Sequence, residues 1–198
     1  MGNRDKLVQW AGEVNSKALE TLRGNGGVIV SPTKVGYIIM TADSKGLDRK
    51  FQIKDRKRNK PGVVLCGSMG QLEELAELNQ EIKTFYHKHW DQDILLGCIL
   101  PWKETGKKYI PDDNSTELMM DTRQTSCFVI RFGRPSEQLA RTLWEEDRKL
   151  VFASSANPSG KGNRGVVAGI GPRIEDGADL IIAADQVVAS VHPNIDEE

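Results

Sequence analysis

Apolar residues occur along the chain in two kinds of pattern. Between short apolar runs, they recur every three or four positions and predict helices at 3–23, 44–53, 69–90, 136–146 and 166–176. The short runs, rich in Val, Ile and Leu, are typical of buried strands and lie at 28–30, 35–40, 62–66, 94–100, 127–130, 150–153 and 180–183. Strands that alternate with helices indicate an α/β fold with a mixed sheet.

Residues 101–124 are polar and rich in turn-forming residues, so we expect an exposed excursion over the sheet. No repeat or linker divides the 198 residues, and we therefore expect one domain over 1–198, with 186–198 as a tail. Apolar content of 38% and charged content of 28% are typical of a soluble globular protein. No apolar run approaches the roughly 18–20 residues that span a bilayer, so we expect no membrane partner.

The cysteines and histidines predict no metal site. Cys66, Cys98 and Cys127 are far apart and lie among apolar residues, which indicates buried thiols. His87 and His89 lie two positions apart on a predicted helix and point to different sides. The N-terminus has charged residues where a signal peptide has an apolar stretch. These features predict a reducing, cytoplasmic location.

The densest charge of the chain lies at 49–60, which holds seven basic residues and one acidic residue in a protein of net charge −1. Lys54, Arg56 and Lys60 precede a predicted buried strand, and loops at strand ends bind ligands in open α/β sheets. Lysine and arginine suit phosphate oxygens, so the run predicts a phosphate site. The alternative is a solvated basic loop.

Two polar loops follow other predicted strands. Residues 154–160 read Ser-Ser-Ala-Asn-Pro-Ser-Gly, and small hydroxyl and amide side chains there would let a ligand approach the backbone. Residues 31–37 follow the strand at 28–30, and Thr33 would offer a hydroxyl. Each loop also has a plain alternative, an ordinary turn.

Four motifs occur in order along the chain. They are a Gly-Gly-hydrophobic strand ending in Pro-Thr (Gly26 to Thr33), Lys-x-Arg-x-x-(Asp/Asn)-x-Pro (Lys54, Arg56, Asn59 and Pro61), a hydrophobic-Arg strand end (Ile130 and Arg131) and Ser-x-Asn-x-Ser-Gly (Ser155, Asn157, Ser159 and Gly160). Together they resemble the Sua5/YrdC/YciO family of threonylcarbamoyl-adenylate synthases and their relatives, over about 17–185.

The resemblance implies a twisted sheet with flanking helices around a large basic cavity. There ATP, L-threonine and bicarbonate would become threonylcarbamoyl-AMP and pyrophosphate, for the t6A modification of tRNA, with Mg²⁺ on the phosphates. It implies ATP binding by Lys54, Arg56, Ser155 and Asn157, with Lys54 and Arg56 also catalytic, and a threonine side formed by Thr33, Lys60 and Arg131. We expect Lys54 and Arg56 to be partly exposed, and Lys54 to meet Asn157 across one cleft.

The sequence departs from the family's pattern chiefly on the threonine side. Lys34 and Val35 replace an acid and a hydroxyl of Pro-Thr-Asp-Thr-x-Tyr-Gly, and the order Gly36-Tyr37 looks more like the YciO branch. Residues 90–93 read Trp-Asp-Gln-Asp where Trp-Pro-Gly-Pro is usual.

Other functions therefore stay open. One is a non-catalytic YciO-like relative that binds nucleotide or RNA through the basic concavity, and another is a variant that adenylates a different acceptor. A third is a carbamoyl-transfer module that uses carbamoyl phosphate. The enzyme is favoured by the set Lys54, Arg56, Ser155 and Asn157. Its possible partners are proteins of the t6A pathway.

Overall fold

A computed structural model describes residues 5–55, 62–193 and 195 of the protein. The described residues contain eight strands, which belong to one sheet. In chain order they are β1 (Leu7–Gln9), β2 (Ile29–Thr33), β3 (Gly36–Thr41), β4 (Val63–Leu65), β5 (Leu96–Pro101), β6 (Thr125–Ile130), β7 (Phe152–Ser155) and β8 (Leu180–Ala183).

The described part of the chain also contains eight α-helices and two short 3₁₀ helices, Lys107–Tyr109 and Val167–Gly169. The α-helices are α1 (Ser16–Arg23), α2 (Ser44–Lys54), α3 (Met69–Leu75), α4 (Gln80–Asp91), α5 (Ser115–Met119), α6 (Ser136–Asp147), α7 (Pro172–Gly177) and α8 (Asp185–Val191).

The strands lie in the order β1-β8-β2-β3-β7-β4-β6-β5. Three neighbouring pairs are parallel, namely β1 with β8, β8 with β2, and β4 with β6, and the other pairs are antiparallel. The predicted α/β class with a mixed sheet is therefore confirmed.

Helices cover both faces of this sheet. Successive residues of β4 point to opposite faces, so Val64 packs into a core with α3, α4 and α5, whereas Leu65 packs into a second core. In that second core α1 and α6 cover β2 and contribute Leu22 and Leu139. The same face, over β3, β4, β6 and β7, carries a cavity lined by strand side chains. This face of the sheet is thus left uncovered beside α6.

The predicted helix at 3–23 is wrong in its first half. Residues Leu7–Gln9 form β1, which pairs with β8 at the edge of the sheet. The backbone of Gly12 has a φ of +90°, which ends regular structure, and α1 begins only after Asn15, whose Oδ1 accepts from the N–H of Ala18 at 2.9 Å. The apolar residues keep a helical spacing across this break, and that spacing gives no sign of the N-cap that begins α1.

The predicted helix at 69–90 is two helices. After α3, Ala76 pairs with Trp102 in an isolated bridge. A new helix, α4, begins after Asn79, whose Oδ1 accepts from the N–H of Ile82 at 2.8 Å. Asn79 is again an N-cap that the apolar spacing did not reveal.

β2 continues past the predicted stop at Ser31 and ends at Thr33. β8 pairs only with Ile29 and Val30, whereas β3 pairs with β2 along its whole length. Pro32 can therefore lie in the strand, because β8 does not reach it on one side.

The predicted excursion at 101–124 and part of the predicted tail contribute to the core. In the predicted excursion at 101–124, Trp102 is buried, and its indole N–H donates to Ser126 Oγ at 2.9 Å. Residues 185–191, mostly within the expected tail, form α8 and bury Val188. The helix expected at 166–176 is shorter and begins at Pro172, which suits the first turn.

Candidate functional site

The structure brings Lys54 together with the polar loop that follows β7. The ammonium of Lys54 donates to the carbonyl oxygens of Ser155 at 2.8 Å and Asn157 at 2.5 Å, and lies 3.4 Å from Asn157 Oδ1. In return Ser159 Oγ donates to the carbonyl oxygen of Lys54 at 2.6 Å. The structure thus brings Lys54 to Asn157, 103 positions away, through direct hydrogen bonds rather than across the predicted cleft.

The expected exposure of Lys54 is wrong, since the residue is 3% exposed. Lys54 is the last residue of α2, and its side chain turns inward to the two loop carbonyls. A buried ammonium is stable only when such acceptors replace water. Its hydrogen bonds therefore fix the shape of the loop.

Asn157 is also buried and also shapes the loop. Its Nδ2 donates to the carbonyl oxygen of Lys161, which closes the turn. The N–H of Ala156 donates to the carbonyl oxygen of Tyr37 at 2.8 Å and extends the pairing of β3 with β7 by one residue. Ser155, by contrast, is half-buried and lines a cavity.

That cavity, which we call the sheet cavity, has a volume of about 240 Å³. Apolar side chains from four strands form its floor, and polar side chains lie among them. The floor includes Ile38, Val63, Leu65, Val129 and Ala153, and the polar residues are Thr33, Ser154, Ser155 and Asn163. An apolar cavity with a few polar groups is the usual form of a small-molecule site.

A second cavity of about 510 Å³, the end cavity, shares Thr33 with the first. Its charged lining residues are mainly basic, namely Lys34, Arg131, Arg134 and Arg141 against Asp93 and Glu137. The polar and charged part of the candidate site therefore lies at this end.

Thr33 is 3% exposed and is fixed at the end of β2. Its Oγ1 donates to the carbonyl oxygen of Gly36 at 2.7 Å and accepts from the N–H of Val35 at 3.2 Å. The hydroxyl thus closes the turn between β2 and β3, and Thr33 lies where the two cavities meet.

Arg131 directly follows β6 and is held against α4. Its Nε donates to the carbonyl oxygen of Trp90 at 2.9 Å, and its guanidinium carbon lies 3.7 Å from the centroid of the Trp90 ring. The Nε atom is also 3.7 Å from Asp93 Oδ1. These contacts use Nε and one face of the guanidinium and orient the group on the wall of the end cavity.

Arg56 and Lys60 lie outside the described residues, as do Asn59 and Pro61. Their predicted contributions to the ATP and threonine sides stay predictions. Of the seven predicted site residues, Thr33, Lys54, Arg131, Ser155 and Asn157 are described, and they form one continuous region from Lys54 through the loop and Thr33 to Arg131.

The model of the Sua5/YciO/YrdC family, described as "Telomere recombination", matches residues 21–195. The chain belongs to the Sua5/YciO/YrdC family.

Several solved structures are similar to the chain in fold. A hypothetical protein, smu.1377c, from Streptococcus mutans UA159 is 56% identical, with a TM-score of 0.88 over 96% of this chain and 73% of its own. P. abyssi Sua5 complexed with L-threonine is 22% identical, with a TM-score of 0.67 over 90% of this chain and 50% of its own. E. coli YciO is 19% identical, with a TM-score of 0.63 over 89% of this chain and 81% of its own. No curated protein matches the chain.

Asn163 is a residue of this Sua5/YciO/YrdC domain that our sequence analysis missed. Its Nδ2 donates to the carbonyl oxygen of Tyr37 at 2.7 Å, and its Oδ1 accepts from the N–H groups of Tyr37 at 3.3 Å and Gly165 at 3.1 Å. A β-carbon on Gly36 would lie 2.2 Å from that Oδ1. The signal in the sequence was the Gly36-Tyr37 order, which leaves room for the asparagine.

Tyr37, whose backbone Asn163 contacts, is itself buried and links β3 to the start of α8. Its hydroxyl donates to Asp185 Oδ1 at 2.6 Å and accepts from the N–H of Ala184 at 2.9 Å. Burial, together with the hydrogen bond to Asp185, raises the pKa of the Tyr37 phenol, so the group stays protonated. α8, which begins with Asp185, is thereby fastened to β3.

The thiols are less uniformly buried than expected, because only Cys66 is fully enclosed while Cys98 and Cys127 are half-buried on β5 and β6. Burial raises the pKa of the Cys66 thiol.

Within 5–55, 62–193 and 195, no group of three or more His, Cys, Asp or Glu side chains could hold a metal ion. No helix in the same ranges has both the length and the apolar character for crossing a membrane.

Proposed function

We propose that the protein forms threonylcarbamoyl-AMP and pyrophosphate from ATP, L-threonine and bicarbonate in the cytoplasm, and so supports the t6A modification of tRNA. Family membership over 21–195 supports this proposal, as does the solved complex of P. abyssi Sua5 with L-threonine. The observation that carries it is the position of Thr33, which lines both cavities and so links the Ser155 loop with Arg131.

The nucleotide occupies the side of the site formed by the loop after β7. Ser155 offers a hydroxyl there, while Lys54 and Asn157 hold the loop in the required shape. The ammonium of Lys54 adds positive potential behind the loop, which favours an anionic ligand. Arg56 completes the phosphate contacts in this proposal.

The amino acid occupies the side formed by Thr33 and Arg131, with Lys60 as a further contact. Among the described residues, the hydrogen bonds and ion pairs of Arg131 involve Nε alone. Its two terminal nitrogens therefore remain for a carboxylate, which a guanidinium binds in a bidentate manner.

The reaction needs positioning more than it needs a protein nucleophile. Protonated bicarbonate loses water to give carbon dioxide, which the threonine amine attacks with loss of a proton. An oxygen of the resulting carbamate then attacks the α-phosphorus. The bond from that phosphorus to the bridging oxygen breaks, and pyrophosphate leaves with the electron pair. The protein holds the anions together and offsets the growing charge on pyrophosphate. Mg²⁺ enters with the triphosphate as part of the substrate.

The test is pyrophosphate release from MgATP by the full chain, with threonine and bicarbonate each omitted in turn. We expect release to require both. Arg131→Gln should raise the KM for threonine about tenfold or more and change that for ATP less, since it removes a charge-assisted hydrogen bond. Ser155→Ala should act mainly on the KM for ATP. Lys17→Ala, on an exposed face of α1, is the control.

Other outcomes select the alternatives. Release that is indifferent to threonine would indicate another acceptor for the same chemistry. No release under any condition, together with salt-sensitive binding of tRNA, would indicate the non-catalytic RNA-binding relative.

A further inference from the structure

Two cations flank one carboxylate on the wall of the end cavity. The ammonium of Lys34 donates to the carbonyl oxygen of Asp93 at 2.6 Å and to its Oδ1 at 2.7 Å. Arg131 Nε lies 3.7 Å from the same Oδ1. All three residues line the cavity that Thr33 also lines. A carboxylate of the chain therefore occupies the space between two positive groups.

The two cations differ in what they leave for a ligand. The side chain of Lys34 is 20% exposed, and its ammonium is engaged twice by Asp93. Arg131 uses only Nε, for Trp90 and Asp93, so within the described ranges its terminal nitrogens face no protein partner. Beside Asp93, the cavity thus presents one guanidinium whose terminal nitrogens can take an anion and one ammonium that is already paired.

Of the charged side chains on this wall, Lys34 and Arg131 are the ones that contact Asp93 within the described part of the chain. Glu137 Oε2 accepts from the N–H of Gly133 at 2.8 Å, and Arg141 pairs with Glu145 at 2.9 Å. The guanidinium of Arg134 lies 5.8 Å from the Trp10 ring centroid. Asp93 is therefore the carboxylate that stands beside Arg131.

We propose that Asp93 is a specificity-determining residue of the acceptor end, which admits amino acids with one carboxylate and discriminates against those with two. Arg131 binds the single α-carboxylate. Beside Arg131, a second carboxylate would meet Lys34, but Asp93 already holds Lys34 and repels a further negative charge. This inference rests on the proposed function only in placing the amino acid at this end of the site.

The test compares two isosteric ligands that differ in charge, free L-asparagine and free L-aspartate, with L-threonine as reference. Their dissociation constants are measured by calorimetry on the full chain, with a non-hydrolysable ATP analogue present. We expect the wild type to bind asparagine about tenfold or more tightly than aspartate. In Asp93→Asn that preference should fall about tenfold through a gain in aspartate affinity, because Lys34 is released.

Two variants separate charge selection from a structural effect. Asp91→Asn removes a neighbouring exposed carboxylate that does not line the cavity, and should leave the preference within about twofold of wild type. Adding Lys34→Gln to Asp93→Asn should abolish the gain for aspartate, since the released ammonium is gone.

An unchanged preference in Asp93→Asn would overturn the inference and leave the proposed function intact. An equal gain for all three ligands would also overturn it, because Asp93 would then be a general competitor for carboxylates. If the wild type binds none of the three amino acids, the proposed acceptor site fails and the inference fails with it.

Discussion

The ammonium of Lys34 lies 2.7 Å from the Oδ1 atom of Asp93, although the two residues are 59 positions apart in the chain. Both stand where the sequence departs from the pattern of its family, since a lysine replaces an acid and an aspartate replaces a proline. The structure shows that these departures form one ion pair between the turn after β2 and the end of α4. They are therefore better understood as a single change than as two separate losses.

This pairing predicts coupled effects of substitution on stability. In a double-mutant cycle of Lys34→Gln and Asp93→Asn, we expect a coupling of about 0.5–1 kcal/mol in the free energy of unfolding, as for a pair that is partly open to solvent. Urea denaturation at low and high salt measures it. The coupling should shrink at high salt, and a value of zero at both salt concentrations would show that the pair contributes nothing to folding.

The buried ammonium of Lys54 predicts that its loss affects the fold as well as the ligand. In Lys54→Met the carbonyl oxygens of Ser155 and Asn157 lose their buried donor. The free energy of unfolding should fall by about 2 kcal/mol. Urea denaturation provides the measurement, and Lys17→Met, at an exposed position of α1, is the matched control. Unaltered stability in Lys54→Met would mean that water replaces the ammonium without cost.

Gly36 has a φ of +101°, and a β-carbon there would meet Asn163 Oδ1 at 2.2 Å. Gly36→Ala should therefore suffer both backbone strain and a clash. Gly160→Ala is the control, because its φ is +79° but nothing lies within 4 Å of the added carbon. Each substitution carries a strain of about 1–2 kcal/mol, and Gly36→Ala should exceed the control by at least about 1 kcal/mol in thermal or urea unfolding. Equal losses would show that Asn163 moves aside freely.

Asp179 predicts a loss of stability in acid. Burial by itself would raise its pKa, but hydrogen bonds from Arg49 and from the N–H of Val28 outweigh this and lower it. The stabilisation from Asp179 is therefore complete above the unfolded pKa of about 3.9 and is lost as the pH falls through the lower folded value.

Asp179→Asn should lower the free energy of unfolding by about 1 kcal/mol at pH 7, a modest effect because the side chain is 39% exposed. Its stability should also decline less steeply than that of the wild type between about pH 5 and pH 2. Unfolding curves across this range provide the measurement, and Asp112→Asn, at an exposed position, is the control. Parallel declines in Asp179→Asn and the wild type would contradict the assigned shift.

Patterns along the chain identified most strands, because a buried strand needs only a short run of Val, Ile and Leu. They failed at 3–23 and 69–90, where the helical spacing of apolar residues continued across the boundary between two elements. In both cases a new helix begins after an N-cap, Asn15 or Asn79. The hydrogen bond of this one polar side chain decides where the helix begins, whatever the spacing of the apolar residues before it.

The motifs of the sequence determined by themselves which residues belong to the family's pattern, and so predicted that Lys54 and Asn157 meet. The tertiary structure decided what each of them does there. It turned Lys54 inward to two carbonyls, placed Arg131 on the wall of a cavity, and joined Lys34 to Asp93. A hydrogen bond depends on distance and direction in space, and residues separated by tens of positions acquire these only when the sheet brings their strands together.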